Sequence, residues 1–377
     1  MFEGIPGQAR AKAFFERVVA EGTLSHAYLL AGPEGLAKTE FGRDLGVALV
    51  APCGDCGACP QCARARAGLH PDLHLLEREG DVYRVEQIEA VRSELSLRPF
   101  LAARRVWVIP EVEHLGVEPA NRFLKSLEEP PSDVVFILAT DDLEKVLPTI
   151  VSRCQVVEFH PVSDRELAAF LVARHHMDAG IAEALARLSR GSVERARRLA
   201  LDAAGPRRRD EYLRHAAALV AGLRPGDGPD PGAAFVGVLG REQAEIAAQV
   251  EEDLVRRREE LEGQFEDKRE LEWYLKRAEE RARRVKRRRQ RLAALDALDL
   301  LISWVRDLWV VASGADDVLW NNDRRDVLVA AAAAAPDHYA RLLGIAGRTR
   351  WNMRLNIDHT LALLAMFARF EEVSVSA

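Results

Sequence analysis

The chain has 377 residues, room for two or three domains at roughly 100–200 residues each. A hydrophobic content of 48% excludes wholesale disorder, and 25 Gly with 17 Pro are too few for a collagen-like or low-complexity chain. With 53 basic and 59 acidic residues the net charge is −6, which excludes a polybasic, nucleic-acid-coating character for the chain as a whole. The opening MFEGIPGQARAKAFFERV has no basic segment leading into an apolar one, and the longest apolar run (327–335) is far short of the roughly 20 residues of a membrane span. The expectation is a cytoplasmic protein with no membrane role.

In chain order, the apolar run 28–31 stops at Gly32-Pro33 and predicts a buried strand entering a Gly-rich loop. Residues 38–50 follow with helical periodicity, Phe41, Leu45 and Leu49 sharing a face. Four further strands are predicted at 73–76, 105–109, 134–139 and 154–159, with helices at 85–95 and 120–127 between them. Strands alternating with helices indicate an α/β layer on a mostly parallel sheet. That rhythm ends near 160, and the rest reads as all-α. Residues 163–200 form a small helical module opened by Ser163 and Glu166 at capping-box spacing and closed by a short helix capped at Gly191-Ser192. Residues 205–377 are helical with a Pro/Gly-rich break at 224–232, and 292–310 and 355–367 are apolar enough to predict buried helices. The boundaries predicted are 1–161, 162–204 and 205–377.

The stretch 241–291 holds 16 basic and 14 acidic residues. Leu271, Leu275, Ala278, Ala282, Val285 and Leu292 form a short heptad seam, so a protruding long helix or helical hairpin is expected, turning near Gly263. Within it, 276–291 has ten basic and two acidic residues, net +8. Without aromatics among the arginines, the run reads as a solvated helix face before it reads as a DNA contact.

Several constellations bear on chemistry. Gly32-Pro33-Glu34-Gly35-Leu36-Ala37-Lys38-Thr39 follows a strand and opens a helix, as a phosphate-binding loop does, but Ala37 stands where the motif requires glycine. That position needs close backbone approach to phosphate, which a methyl group penalises. The strand 105–109 ends in Pro110-Glu111, so the carboxylate that would orient Mg²⁺ is missing. Gly32, Gly35, Lys38 and Thr39 are therefore read as a degenerate, empty loop, ATP binding is not expected, and no intrinsic ATPase activity is predicted.

Cys53, Cys56, Cys59 and Cys62 fall within ten residues. Four thiolates at CxxC spacing can close a tetrahedral structural zinc site. A ferredoxin-type cluster is disfavoured, because the last gap is two residues and Ala63 rather than Pro follows. Arg153, beside Ser152 before the last strand, either pairs with a carboxylate of this chain or acts as an arginine finger on a neighbour's γ-phosphate.

Together the motifs carry a resemblance. Residues 25–33 (SHAYLLAGP), the cysteine cluster, His70-Pro71-Asp72, 121–131 (NRFLKSLEEPP), Phe136 to Thr140, Leu147 to Ile150 and Ser152-Arg153-Cys154 resemble the bacterial clamp-loader subunits of DNA polymerase III. Asp323 after a double Asn and Leu355-Asn356-Ile357 extend the likeness more weakly. The family's first zinc cysteine lies further upstream, so Cys53 is a displaced first ligand. The insertion 241–291 has no counterpart.

The resemblance implies an AAA+ parallel-sheet domain with a zinc module at 53–62, a helical lid, and a helical collar carrying the charged arm. Ala37, Pro110 and the lid sequence Gly191-Ser192-Val193-Glu194-Arg195 are similar to the delta-prime branch, which has lost nucleotide chemistry, rather than to the gamma/tau motor. It implies a stator within a pentameric loader that opens the sliding clamp on primed DNA, with gamma/tau and delta subunits as partners, structural zinc, and Arg153 acting on a neighbour's ATP. An ATP-hydrolysing motor and a DNA-binding scaffold using 276–291 are the alternatives.

Overall fold

A computed structural model describes all residues except 52, 54–55, 57–58, 79–81, 202–204, 222–229, 263–267, 316–317, 354–356 and 376–377. The chain divides into two compact units, one of residues 1–177 and 189–198, the other of residues 178–188 and 199–377.

The elements of the N-terminal half are α1 (Ala9–Glu21), β1 (Ala27–Ala31), α2 (Lys38–Val50), α3 (Pro60–Arg66), β2 (Leu73–Leu75), α4 (Val85–Leu95), β3 (Arg105–Ile109), α5 (Val117–Glu128), β4 (Val134–Thr140), α6 (Pro148–Val151) and β5 (Gln155–Glu158). Helices α7 (Asp164–His175), α8 (Ala179–Ser189) and α9 (Val193–Leu201) follow. Each predicted strand is present within two residues of its expected ends. Helices α1, α3 and α6 carry no prediction, although Ala11, Phe15 and Val18, the buried residues of α1, sit at helical spacing.

The five strands form one wholly parallel sheet in the order β2-β3-β4-β1-β5. The central strands β1, β3 and β4 are buried along their whole length, as apolar strands covered on both faces must be. Alternate residues serve the two faces. Leu29, Trp107, Phe136 and Leu138 join Ile88 and Val91 of α4 and Phe123 and Leu127 of α5 in one cluster. Leu30, Val108 and Ile137 face α2, which comes close because Gly42 and Gly46 lack side chains; a Cβ at Gly46 would lie 2.5 Å from Leu73 Cδ1.

His70-Pro71-Asp72 receives a structural explanation. The Asp72 carboxylate is fully buried and accepts the backbone N–H groups of Phe100, Leu101 and Ala102 at 2.7–2.9 Å. Burial alone would raise its pKa, but these three bonds outweigh burial and lower it. Asp72 therefore ties the turn before β3 to the start of β2.

The second unit contains α10 (Gly205–Val220), α11 (Pro231–Glu262), α12 (Lys268–Ala312), α13 (Arg325–Ala331), α14 (Pro336–Asn352) and α15 (His359–Val375). Helices α11 and α12 run antiparallel, for Arg258 pairs with Glu279 while Gln290 Nε2 donates to the Gln243 carbonyl at 3.1 Å. The expected charged arm is thus a hairpin. The turn predicted near Gly263 and most of the break predicted at 224–232 lie outside the described residues. The seam residues Leu271, Leu275, Ala278, Ala282, Val285 and Leu292 are half-buried, as one partner helix can cover only one side. The second half of α12 is buried as predicted, with Leu298, Leu301, Val305 and Leu308 in the core. Burial of 355–367 needs correcting: α15 buries Leu363, Met366, Phe367 and Phe370 but exposes Leu361 and Leu364, so apolarity there overstates coverage.

Asn321 and Asp323 form a polar node in this unit. Arg209 grips both Asp323 oxygens at 2.8 and 2.9 Å and donates to Asn321 Oδ1, while Asn321 Nδ2 donates to buried Asp307 and to Ser303. The node joins α10 to α12 through hydrogen-bonded polar groups, of which Asn321, Asp307 and Ser303 are buried.

Candidate functional site

In a parallel sheet the loops after the strands gather at one edge, where ligands usually bind. Here that edge carries the Gly32–Thr39 loop after β1, Pro110-Glu111 after β3 and Asp141 after β4. The loop has the shape of a phosphate cradle, and its chemistry is turned inward. Ala37 adopts the left-handed conformation (φ 57°, ψ 32°) that glycine takes without penalty; for an L-residue with a Cβ this region costs about 1–2 kcal/mol. Lys38 is 5% exposed. Its ammonium donates to the carbonyls of Gly32 (2.7 Å) and Pro33 (2.6 Å) and pairs with Asp141 Oδ1 at 2.7 Å. An ammonium has three protons, and three acceptors use them.

Residues 192–194, at the start of α9, also hold the loop. Ser192 Oγ and the Glu194 N–H both donate to the Gly35 carbonyl, at 3.3 and 3.0 Å. A Cβ on Gly35 (φ +87°) would lie 2.2 Å from Ser192 Oγ, so only glycine fits there. Ser192 Oγ also accepts the Arg195 N–H at 3.2 Å, the N-cap of α9 that the sequence predicts. Thr39 is half-buried behind Lys38. At the end of β3, Glu111 is taken by Arg78 Nε at 2.6 Å, and the Pro110 carbonyl accepts the buried Tyr83 hydroxyl. In this structure the Lys38 ammonium is occupied within the chain, Ala37 replaces the motif's glycine, and Pro110 stands where a metal-orienting carboxylate would be.

The cysteines differ. Sγ of Cys53 lies 3.5 Å from that of Cys59 and 3.3 Å from that of Cys62; Cys56 and Cys62 are 4.0 Å apart. All four Sγ atoms lie within 4.8 Å of one another. Four sulfurs about 2.3 Å from a zinc ion would be spaced roughly 3.8 Å apart, so the donor set fits a tetrahedral thiolate site. The N–H of Cys56, Cys59 and Cys62 each points at the sulfur three residues back, at 3.4–3.5 Å. The Cys53 thiol is pulled down to about 6 by the Cys56 N–H, then by neighbouring sulfurs. The displaced Cys53 is thus in the cluster with the other three. Cys154 stands apart, its thiol pushed up to about 12 by burial.

Arg153 follows α6 and precedes β5. Its Nη2 pairs with Glu128 Oε1 at 2.5 Å and its Nη1 donates to Thr149 O (3.0 Å) and Ser152 Oγ (3.3 Å). Because β5 is parallel to β1, with Tyr28 beside Gln155 and Ala31 beside Glu158, Arg153 lies at the strand-start edge. The four residues of β5, about 10 Å of rise, separate it from the edge that carries Lys38. Sequence reasoning left Asp141 and Arg78 unnamed and named Glu128 only as part of the 121–131 motif, since only the fold brings them to Lys38, Arg153 and Glu111.

Comparisons with known proteins concern the same region. The family described as "DNA polymerase III, delta subunit" matches residues 7–163. "DNA polymerase III subunit delta'" of Bacillus subtilis is 31% identical over 168 residues, 44% of this chain and 51% of that protein. Its namesake in Pseudomonas aeruginosa is 36% identical over 183 residues, 46% and 56% of the two chains. "DNA polymerase III subunit tau" of Bacillus subtilis is 30% identical over 173 residues, 44% and 30%. The chain spans about half the length of the delta' relatives it matches and less of tau. A gamma subunit-related protein of Thermotoga maritima aligns over 95% of this chain and 98% of its own, at 18% identity and TM-score 0.39. Over residues 7–163 the chain is similar to subunits of the DNA polymerase III clamp loader.

Proposed function

We propose that this chain is the delta-prime-type stator of a bacterial replicative clamp loader. In this reading it hydrolyses no ATP of its own, works in the cytoplasm beside gamma/tau and delta subunits, and helps place the sliding clamp on primed DNA. The lid (162–204) and collar (205–377) hold it in the ring, and Arg153 enters the ATP site of the adjacent motor. Cys53, Cys56, Cys59 and Cys62 hold a structural zinc ion, which supplies a cross-link for a loop with little core of its own.

One observation carries the reading: the two candidate phosphate-seeking cations lie at opposite edges of the sheet and in opposite states. Lys38 is consumed inside the chain. Arg153 has a surface carboxylate as its ionic partner and cannot reach its own chain's loop across β5. A guanidinium placed so is positioned for a site on another subunit rather than for its own loop. An arginine finger is worth about 10³ or more in turnover at the site it completes. Reconstituting the loader with Arg153→Ala should abolish turnover at that one interface while assembly persists. Unchanged clamp-loading ATPase would remove the finger assignment. The ATP-hydrolysing motor reading gains nothing from the loop geometry.

A further inference from the structure

The charged hairpin is unaccounted for by the family match, which ends at residue 163. Its two helices use charge differently. On α11 the arginines are answered: Arg256 by Asp253, Arg257 by Glu260, and Arg258 by Glu279 across the hairpin. On α12 every residue of 276–291 whose side chain is described as exposed is Lys or Arg: Lys276, Arg281, Arg283, Lys286, Arg287, Arg288 and Arg289. Among the described residues, Lys276, Arg283, Lys286 and Arg287 have no carboxylate partner. At 3.6 residues per turn these four fall within a sector of about 100° and rise about 16 Å along the helix. Phosphates follow one another every 3.4 Å or so along one DNA strand, so the row spans about five of them.

We infer that this face of α12 binds the phosphate backbone of duplex DNA without reading sequence. The exposed side chains decide between partners. A protein interface needs an apolar or aromatic centre, and a membrane-surface helix needs an exposed apolar face; this face has neither. Single-stranded DNA is held largely by stacking on aromatic rings, and none is exposed among these residues. A row of cations alone suits the regular, dense charge of a duplex. The inserted arm is then a second handle on primed DNA, independent of whether Arg153 acts as a finger.

The test is fluorescence anisotropy of a labelled DNA duplex with the full-length chain over a salt series. Four phosphate contacts predict a slope of log K against log salt near −3.6, roughly a 150-fold loss of affinity between 50 and 200 mM. Changing Lys276, Arg283, Lys286 and Arg287 together to Gln should flatten that slope and abolish binding at the higher salt, and each single change should reduce the slope by about 1. The paired-charge control R256Q/R257Q should bind as the parent does, with circular dichroism showing equal helicity in all variants. Parent-like binding by the quadruple variant overturns the proposal. So does displacement of the duplex by polyglutamate of equal charge, which would assign the face to an acidic protein, or tighter binding of the single strand than of the duplex.

Discussion

Lys38 and Arg153 are both basic residues beside the strand β1–β5 pair, and they have opposite fates. Lys38 is buried with its three protons on Gly32, Pro33 and Asp141. Releasing it for a ligand means breaking a largely buried ion pair and two hydrogen bonds, on the order of 3 kcal/mol or more. Arg153 is held by Glu128 at the surface, and such a pair contributes about 0.2–1 kcal/mol. A cation is available to another molecule only if its own chain holds it weakly. By that measure Lys38 is held tightly by its own chain and Arg153 only weakly.

Four substitutions sharpen the contrast, beginning with the largest effect. Asp72→Asn calibrates what a fully satisfied buried charge is worth here. It should destabilise the N-terminal unit by about 3 kcal/mol in denaturant titration, because three backbone N–H groups lose a charged acceptor. The folded pKa of Asp72 is lowered, so its contribution is fully present above the ordinary value near 3.9 and is lost as pH falls through the folded value. The parent should lose stability below about pH 4, and the variant should lose less of it there. Lys38→Met comes next, at about 2–3 kcal/mol, with Asp141 left without its cation but partly reached by water. A cost near zero would show that the inward geometry of Lys38 is not what holds the loop.

Ala37→Gly acts in the other direction. Removing the left-handed strain should stabilise by up to about 1 kcal/mol, partly offset by the added freedom of glycine in the unfolded chain. ATPase activity should not appear, because Pro110 still supplies no carboxylate. Arg153→Ala should change stability least, by less than about 1 kcal/mol. A loss as large as that of Lys38→Met would break the comparison by making Arg153 structural. Separately, metal analysis of the purified chain should find one zinc ion per chain, lost in Cys62→Ser, whose sulfur sits 3.3 Å from Cys53 and 4.0 Å from Cys56.

Much of this fold was legible in the sequence because parallel strands buried on both faces read as uninterrupted apolar runs, and β1, β3 and β4 are such runs. The cysteine cluster was legible because its ligands are local. The penalty at Ala37 was legible because loop motifs specify backbone conformation, and φ 57° is the conformation at issue. The partners of the key charges were not legible. Asp141 meets Lys38 only because β4 pairs with β1, and Glu128 meets Arg153 only because α5 ends beside α6. The hairpin shows the same limit in reverse. Composition made 276–291 look neutralised by the acidic half upstream, whereas Asp253 and Glu260 there answer arginines of α11 and Glu242 and Glu245 answer Arg208 of α10.

The central claim is that this chain has given up nucleotide at its own loop, and nucleotide binding to the purified protein tests it most directly. Calorimetric titration with ATP and Mg²⁺ should show no saturable binding across roughly 1 µM to 1 mM, the range in which enzymes commonly hold substrates. Saturable binding in that range, lost on Lys38→Ala, would contradict the account and return the chain to the hydrolysing motors.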